Sequence, residues 1–473
     1  MYFRRFYDEG LAQASYLIGC DQSGEAVVVD AGRDIAPILA VAAAERFRIV
    51  RVTETHIHAD FVSGSRELAA HTGAALALSA EGGSDWQYVF ARDDGAELLR
   101  DGDSFSIGRV RFEVLHTPGH TPEHLAFLVT DLAASPHPVG LLSGDCLFVG
   151  DVGRPDLLER AAKVANTMET SARALFASLQ RLRALPDFVQ VWPGHGAGSA
   201  CGKALGALPQ STIGYERIAN WGFAATDEAA FARDVLAGQP EPPAYFAEMK
   251  RINREGPRIL GTWPDAMHLD ARLLGGVLEG RDWVVDTRPT DAFAGGHVPR
   301  SLNIPIGKSF PGWAGTLLPY DRDIYLIAAT QVDATRATRE MAKIGLDRVG
   351  GWFAAQALAE WSQSQGVLER VAQTTPAVVA ERVERGEVTV VDVRNAGEWE
   401  HGHLPGALHI PLGALASRAA EIPAGRPVVV HCQGGTRSAI AASILLGKGA
   451  RDVINLRGGY DDWRRAGLPS VTD

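Results

Sequence analysis

The stretch Thr55-His56-Ile57-His58-Ala59-Asp60-Phe61 decides the fold of the first part of the chain. It is a His-x-His-x-Asp metal box that directly follows a predicted strand, Ile49-Val50-Arg51-Val52-Thr53. A second metal site would need a histidine at the last position of the box, where this chain has Phe61. Hydrolases with two metals need both half-sites to activate a water, so Phe61 favours one metal and a different chemistry.

Three further clusters of ligand-type residues follow this box along the chain. They are Thr117-Pro118-Gly119-His120-Thr121, Ser143-Gly144-Asp145 and Pro193-Gly194-His195-Gly196. Each cluster places its histidine or aspartate at a predicted strand end beside a glycine, where the side chain can project into a cleft. A lone histidine is most often a core or surface residue, whereas an ordered series of four clusters is a long motif. The alternative, that these are histidines of turns, is therefore the weaker interpretation.

The order of these clusters resembles the metallo-β-lactamase fold of the glyoxalase II branch, over about residues 1 to 250. The members of that superfamily with a single metal and oxygen chemistry are the persulfide dioxygenases, and this chain is similar to them residue by residue. The resemblance implies one Fe(II) per chain, held by His56, His120 and Asp145, with zinc as the alternative. Two histidines and one carboxylate leave positions open for O2 and a substrate sulfur.

The same resemblance implies roles for residues around the metal. His58, Asp60 and His195 would orient the ligands and bound water beside Phe61 without binding the ion. The alternative is a second ion, although that half-site would keep only Asp60 and His195 beyond a bridging Asp145.

Two residues further along the chain are candidates for binding the substrate. An arginine in the position of Arg154 lines the substrate entrance in the resembling family, so we expect Arg154 to pair with a carboxylate of a thiol carrier. A surface salt bridge is an equal alternative. Cys201, six residues after His195, is a candidate accessory sulfur acceptor that faces the cleft.

A second motif, His431-Cys432-Gln433-Gly434-Gly435-Thr436-Arg437-Ser438, follows the predicted strand Val428-Val429-Val430 and precedes an Ala-rich helix. Backbone N–H groups of such a loop curl round the sulfur and favour the thiolate. The loop resembles the active loop of rhodanese sulfurtransferases. That resemblance implies that Cys432 carries a persulfide, that Arg437 closes the loop, and that the four residues between them contact the substrate: Gln433, Gly434, Gly435 and Thr436. A phosphatase loop has five residues between cysteine and arginine, and the four found here favour sulfur transfer.

An internal repeat organises the second half of the chain. Val284-Val285-Asp286-Thr287-Arg288 matches Val390-Val391-Asp392-Val393-Arg394 with an offset of 392 − 286 = 106. This offset is the size of a domain, and each copy has the strand and helix pattern of a parallel α/β fold. The first copy has Leu326 to Asp333 where the second has its cysteine loop, so we expect it to be inactive and to serve in packing or in presenting the last domain.

The predicted fold class is therefore a multidomain α/β protein in three parts. Residues 1–253 form an αββα metallo-β-lactamase sandwich, residues 254–367 an inactive rhodanese-like domain, and residues 368–473 a rhodanese domain with an active cysteine, both with parallel central sheets. We expect the last domain to contain the whole of the cysteine loop.

Composition limits the partners of the protein. The net charge of −11 argues against nucleic acid, which needs clustered basic residues, and favours small-molecule partners. The start of the chain has no apolar core of a signal peptide, and no later run is long enough for a membrane span. Together with only four scattered cysteines, this predicts a cytoplasmic protein. The sequence is compatible with homo-oligomers and does not determine the oligomeric state.

These observations predict oxidation of a low-molecular-weight thiol persulfide by O2 to sulfite and thiol, coupled to a sulfurtransferase that interconverts persulfide, sulfite and thiosulfate. Glutathione, coenzyme A and other thiol carriers all fit, and either direction of sulfur transfer is open. One rival is a zinc thioester hydrolase like glyoxalase II fused to a sulfurtransferase. A second rival is a first domain that acts only as a scaffold.

Overall fold

The computed structural model describes residues 1–160, 167–203, 205–364 and 366–472. The chain divides into two compact units. The first consists of Met1–Trp263 and Ala342–Gly345, and the second of Pro264–Met341 and Leu346–Asp473. In the part of the chain that is described, each helix is either too short or too polar to cross a membrane.

The first unit contains two sheets of six strands each, in the orders β1-β2-β3-β4-β5-β6 and β12-β11-β10-β9-β8-β7. The strands of the first sheet are β1 (Tyr2–Asp8), β2 (Gln13–Cys20), β3 (Glu25–Val29), β4 (Arg48–Thr53), β5 (Ala75–Ser79) and β6 (Glu97–Leu99). The strands of the second sheet are β7 (Ser104–Ile107), β8 (Val110–His116), β9 (Leu125–Asp131), β10 (Gly140–Gly144), β11 (Gln190–Pro193) and β12 (Ser211–Thr212).

Successive residues of the central strands pack into different apolar clusters on the two faces of each sheet, so the two sheets are the middle layers of a sandwich. Val27 and Val29 of β3 pack with Phe112 of β8 and Phe127 of β9 in one apolar cluster between the sheets. The opposite faces are covered by helices, which are α1 (Ala36–Ala44), α2 (Ser65–Thr72), α3 (Leu157–Arg160), α4 (Met168–Arg183), α5 (Ile213–Ala219), α6 (Glu228–Leu236) and α7 (Phe246–Glu255). Ile38 of α1 packs on the outer face of the first sheet, and the apolar side of α4 packs on the second. This αββα sandwich confirms the fold predicted for the first domain.

The second unit contains two parallel sheets, in the orders β14-β13-β15-β16 and β17-β21-β20-β18-β19. The strands are β13 (Trp283–Asp286), β14 (Leu302–Asn303), β15 (Ile324–Ala328), β16 (Val349–Ala354), β17 (Ala372–Thr374), β18 (Thr389–Asp392), β19 (Leu408–His409), β20 (Val428–His431) and β21 (Val453–Leu456). The helices are α8 (Leu274–Glu279), α9 (Thr290–Gly295), α10 (Phe310–Leu317), α11 (Gln331–Lys343), α12 (Ala357–Ser364), α13 (Pro376–Glu384), α14 (Ala396–Glu400), α15 (Leu412–Arg418), α16 (Thr436–Gly447) and α17 (Gly459–Arg465).

The register of the central strands shows how the two copies correspond. Asp286 of β13 is paired with Ile327 of β15, and Asp392 of β18 is paired with His431 of β20. Near these strand ends the offset between the copies is therefore 431 − 327 = 104. The two rhodanese-like α/β folds expected from the repeat are confirmed. Within this unit they touch, because the hydroxyl of Ser443 accepts the backbone N–H of Asn303 at 3.0 Å.

Candidate metal centre and cysteine loop

Strand ends bring the four predicted metal clusters together at one edge of the sandwich. The box begins just after β4, and His120, Asp145 and His195 follow β8, β10 and β11 closely in the chain. The strands β8, β10 and β11 run in one direction, because β9 is antiparallel to both β8 and β10, and β11 is parallel to β10. Their carboxyl ends therefore share an edge, and loops there can carry convergent side chains.

Two histidines and a carboxylate form the first cluster. The potential ligand atoms of His56, His120 and Asp145 all lie within 4.8 Å of one another, and all three residues are buried. The Nε2 atoms of His120 and His56 lie 3.5 and 4.0 Å from Oδ2 of Asp145. Two donors that share one ion at bond lengths of about 2.1 Å and angles of 90 to 110° lie about 3.0 to 3.4 Å apart. A small closure of the cluster would give that arrangement.

Hydrogen bonds orient the ring of His56 toward the cluster. The hydroxyl of Thr55 donates to Oδ2 of Asp30 at 2.9 Å, so it accepts from Nδ1 of His56 at 3.0 Å. That leaves the lone pair of Nε2 directed at Asp145. The same Asp30 binds the backbone N–H of Thr55 at 2.7 Å and Nε2 of His58 at 3.1 Å. His58 is therefore held by a carboxylate and does not point into the first cluster.

Burial sets the charge state of these groups. It lowers the pKa of His120 to about 3 and places the pKa of His56 well below the ordinary value, so both imidazoles are neutral. Burial also raises the pKa of Asp145 to about 6. Burial opposes protonation of His58 as well, but the carboxylate of Asp30 raises its pKa to about 9. Neutral imidazoles beside a carboxylate are the state that binds a divalent cation.

The carboxylate oxygens provide the test of whether the residues fit a metal. Both oxygens of Asp145 and both of Asp60 are buried and have no hydrogen-bond partner among the described residues. A buried carboxylate without a partner is costly unless it is paired or coordinates a cation. The residues present, two imidazoles and carboxylates, therefore fit a divalent metal ion at this edge.

A second group of ligand atoms lies beside the first. Asp60, His195 and Cys201 are all buried, and their potential ligand atoms lie within 4.8 Å of one another. Nε2 of His195 is 3.3 Å from Oδ2 of Asp60 and 3.4 Å from Oδ2 of Asp145, so this histidine faces both groups. Its Nδ1 donates to the carbonyl of Ala12 at 2.9 Å, so Nε2 is the ring nitrogen that faces the two carboxylates.

Phe61 is also buried in this region, with 1% of its surface exposed. Its ring packs on that of His58, with the centroids 4.4 Å apart. The half-site that has Phe61 in place of a histidine contains the sulfur of Cys201 beside Asp60 and His195. The sequence alone did not group Cys201 with these two residues. Burial raises the pKa of the Cys201 thiol well above its ordinary value.

Three buried residues that sequence reasoning missed support the metal loops. His124 accepts the backbone N–H of Asp145 at Nε2, at 3.0 Å, and its Nδ1 is 2.8 Å from the hydroxyl of Thr117. The side-chain amide of Asn253 donates to the carbonyls of His58 and Phe61 at 2.8 and 2.7 Å. Glu123 accepts the backbone N–H of Ile57 at 2.8 Å. For Glu123 and His124 the sequence signal was the run Thr121-Pro122-Glu123-His124 directly before β9, whereas Asn253 had no such local signal.

Glycines allow the close approach of these loops. A Cβ at Gly194 would lie 2.5 Å from Oδ1 of Asp145, so a larger residue there would displace the carboxylate. Gly144 has a φ of +51°, and a Cβ there would lie 2.5 Å from Nε2 of His124. The motifs therefore need glycine at positions 144 and 194 for space, and at position 144 also for its positive φ.

The side chain of Arg154 is fully buried, and its guanidinium is hydrogen-bonded to a carboxylate and to two backbone carbonyls. Its guanidinium donates to both oxygens of Asp156, at 3.0 and 2.7 Å, and to the carbonyls of Ala200 and Pro240, at 3.0 and 2.6 Å. The surface salt bridge that was the alternative does not describe this buried pair. An ion pair with a carboxylate of the substrate would require some of these bonds to open, and that role stays a prediction.

The cysteine loop lies between β20 and α16 in the second unit. Cys432 is buried, and its Sγ accepts the backbone N–H of Gly435 at 3.1 Å and lies 3.6 Å from the hydroxyl of Ser438. Gly435, with a φ of +104°, precedes the first residue of the 12-residue helix α16. The sulfur therefore sits at the amino end of a helix, where the N–H groups and the helix dipole favour negative charge.

An ion pair and a cavity adjoin this loop. Both terminal nitrogens of Arg437 donate to the carboxylate of Glu398, each at 2.6 Å. A cavity of about 460 Å³ is lined by residues that include Arg394, Glu398, Gln433 and Arg464. Gln433 accepts from Arg394 at 3.1 Å, so this loop residue is held in place. Gly434 and Thr436 complete the loop, and direct binding by its residues stays a prediction.

The first copy has other residues at the positions that correspond to Cys432 and Arg437. By the register of the strands, Cys432 corresponds to Ala328 and Arg437 to Asp333. That the first copy does not transfer sulfur by this mechanism stays a prediction.

Comparison with known proteins agrees with this architecture. The metallo-β-lactamase superfamily model matches residues 8–195, and the rhodanese-like domain model matches residues 270–361 and 375–466. A hydroxyacylglutathione hydrolase from Rhodopseudomonas palustris is 31% identical over 239 residues, which cover 50% of this chain and 80% of that protein. A sulfurtransferase from Allochromatium vinosum is 42% identical over 85 residues, covering 18% of this chain and 79% of the relative.

A solved structure matches a larger share of the chain. A metallo-β-lactamase from Staphylococcus aureus is 39% identical with a TM-score of 0.67, and the match covers 75% of this chain and 99% of that one. The site and the fold define a metal-binding sandwich followed by sulfurtransferase-type domains. The chain belongs to the metallo-β-lactamase superfamily, as an enzyme that also carries two rhodanese domains.

Proposed function

We propose that this protein is a persulfide dioxygenase joined to a thiosulfate sulfurtransferase. The observation that carries the proposal is the cluster of two neutral imidazoles and one unpartnered carboxylate, His56, His120 and Asp145, beside a half-site that has Phe61 in place of a ligand. The overall reaction is R-S-SH + O2 + H2O giving R-SH + SO3²⁻ + 2H⁺. Only the terminal sulfur is oxidised, and O2 is the oxidant.

His56, His120 and Asp145 would hold one Fe(II). When bound there, Fe(II) supplies the site for O2 and for the terminal sulfur of the substrate. The chain supplies the rest: Thr55 keeps the Nε2 lone pair of His56 available, and His124 fixes the backbone of Asp145. The surrounding wall is buried, which excludes stray water from a reactive centre.

Cys432 would perform the sulfur transfer. Its thiolate attacks the outer sulfur of thiosulfate, the sulfur–sulfur bond of thiosulfate breaks, and sulfite leaves with the electron pair: Cys432-S⁻ + S-SO3²⁻ gives Cys432-S-S⁻ + SO3²⁻. In the reverse direction, a persulfide on Cys432 would pass its sulfur to sulfite and form thiosulfate. The N–H of Gly435 donates to Sγ, which supports the thiolate that both directions require.

Metal analysis of protein purified without oxygen tests the dioxygenase. We expect one iron per chain and uptake of O2 that depends on a persulfide, tested with a panel of thiol carriers. His120→Ala should lose both, and Cys432→Ser is the matched control that should keep both. A wild-type protein that holds iron but consumes no O2 with any persulfide would refute the proposal.

A zinc thioester hydrolase is the second candidate. Two observations favour it, namely the additional ligand group of Asp60, His195 and Cys201 beside Asp145, and the 31% identity to a hydroxyacylglutathione hydrolase. Two zinc ions per chain together with hydrolysis of an S-acyl thiol would establish this function in place of the dioxygenase.

A further inference from the structure

The ion pair of Arg437 and Glu398 is the feature of the cysteine loop that the chemistry above leaves unused. Both hydrogen bonds are 2.6 Å long, and the side chains of Arg437 and Glu398 are 18% and 31% exposed. In the proposed sulfurtransferase, Arg437 would meet an anionic substrate, but in the structure its guanidinium is bound to a carboxylate of the protein itself. Such a bidentate pair is strong and has a fixed geometry.

Comparison of the two copies distinguishes this ion pair from the ion pairs that both copies contain. Arg394 binds the buried Asp392 in the second copy, and Arg288 binds the buried Asp286 in the same way in the first. The pair of Arg437 and Glu398 has no such counterpart. Helices α14 and α9 begin at Ala396 and Thr290, so Glu398 corresponds to Ala292, and Arg437 corresponds to Asp333. Both partners are thus present only in the copy that has the cysteine.

The charge of Glu398 is significant because of where the carboxylate lies. It lines the cavity beside the loop together with Arg394 and Arg464, which would attract anions. Partial burial raises the pKa of Glu398, but the hydrogen bonds from Arg437 outweigh this and bring the pKa below its ordinary value. Glu398 is therefore ionised at neutral pH and adds a negative charge to the wall of this cavity.

We propose that Glu398 is a specificity-determining residue, which competes with anionic sulfur donors for Arg437 and so disfavours dianionic donors relative to monoanionic ones. The inference rests on the proposed sulfurtransferase function. A sulfonate group that binds Arg437 must take over N–H groups now held by Glu398, and it then lies close to that carboxylate. The repulsion is proportional to the charge of the donor, so thiosulfate experiences about twice the repulsion of a thiosulfonate with one negative charge.

The variant Glu398→Gln removes the charge and keeps the local fold. The backbone N–H of Asn395 donates to Oε2 of Glu398 as part of a capping box, and the amide oxygen of glutamine can accept the same bond. The assay compares thiosulfate with methanethiosulfonate, which has the same outer sulfur and one charge fewer, with cyanide as the acceptor. Glu421→Gln is the matched control, because Glu421 pairs with Arg418 on the surface of the same domain.

We expect Glu398→Gln to lower the KM for thiosulfate about two- to fivefold, the change that corresponds to a partly exposed ion pair. The KM for methanethiosulfonate should fall less, kcat should change little for either donor, and added salt should reduce the difference. Glu398→Asp, which keeps the charge, should keep the selectivity of the wild type.

Two results would overturn this role of Glu398. One is a KM for thiosulfate that stays unchanged or rises in Glu398→Gln, and the other is an equal shift for both donors. If Glu398→Gln does not fold, then Glu398→Asp must still show wild-type selectivity. Failure of the wild type to turn over either donor would instead refute the sulfurtransferase function, so the two failures can be told apart.

Discussion

His124 offers the sharpest test of how the fold holds the metal ligands. It does not belong to the first cluster, but it accepts the backbone N–H of Asp145 at 3.0 Å and its ring stacks on that of His56, with the centroids 5.2 Å apart. His124→Leu removes the acceptor and leaves a buried N–H without a partner, which costs about 1 to 3 kcal/mol. Because Asp145 is itself a proposed ligand, a backbone that moves to relieve this cost displaces its carboxylate.

Loss of a residue that orients a ligand typically weakens metal binding about 10- to 100-fold, or about 1.4 to 2.7 kcal/mol. The assay is a titration of metal-free protein with Fe(II) under anaerobic conditions against a chelator of known affinity. His124→Gln keeps an acceptor near the position of Nε2 and should recover most of the affinity. His137→Leu, which changes an exposed histidine, is the control. Wild-type affinity in His124→Leu would refute this positioning role.

The other predictions concern single residues. Phe61→His should raise the metal content above one ion per chain when metal is in excess, and unchanged stoichiometry would argue that Phe61 does not limit the second half-site. Cys432→Ser should abolish turnover of thiosulfate and spare uptake of O2, whereas loss of both would contradict two separable sites. The pKa of Glu398 is lowered in the folded protein, so its ion pair stabilises the folded state at pH values above the ordinary pKa of 4.5. This stabilisation is lost as the pH falls through the lowered pKa. Unfolding of Glu398→Gln should show a smaller loss of stability between pH 6 and 3 than the wild type, and equal losses would contradict this.

The sequence predicted the fold class because its signals were local and repeated. The strand predicted from Ile49 to Thr53 lies within β4, and the strand predicted from Val428 to Val430 lies within β20. The Ala-rich helix expected after the cysteine loop is α16. Each of these features depends on a few neighbouring residues, which a single sequence displays directly.

The parts that escaped prediction depend on contacts between residues distant in sequence. Asn253 donates to the carbonyl of His58, which lies 195 positions earlier in the chain. Arg437 pairs with Glu398, which lies 39 positions earlier. A sequence shows that a carboxylate and a guanidinium exist but not which ones meet. Arg154 illustrates the same limit, since its sequence position left a surface salt bridge open as an alternative and did not show its complete burial against Asp156.

Phe61 and Cys201 are the reason that we expect His56, His120 and Asp145 to bind a metal ion more readily than the group of Asp60, His195 and Cys201. The imidazoles of His56 and His120 are already neutral, so a cation can bind them without displacing a proton. Burial raises the pKa of the Cys201 thiol well above its ordinary value, and a cation bound there would have to expel that proton from a buried site. A histidine at position 61 would have supplied a neutral ligand without this cost. We therefore expect the second half-site, which has Asp60, His195 and a protonated Cys201 thiol but Phe61 in place of a histidine, to bind an ion more weakly than His56, His120 and Asp145.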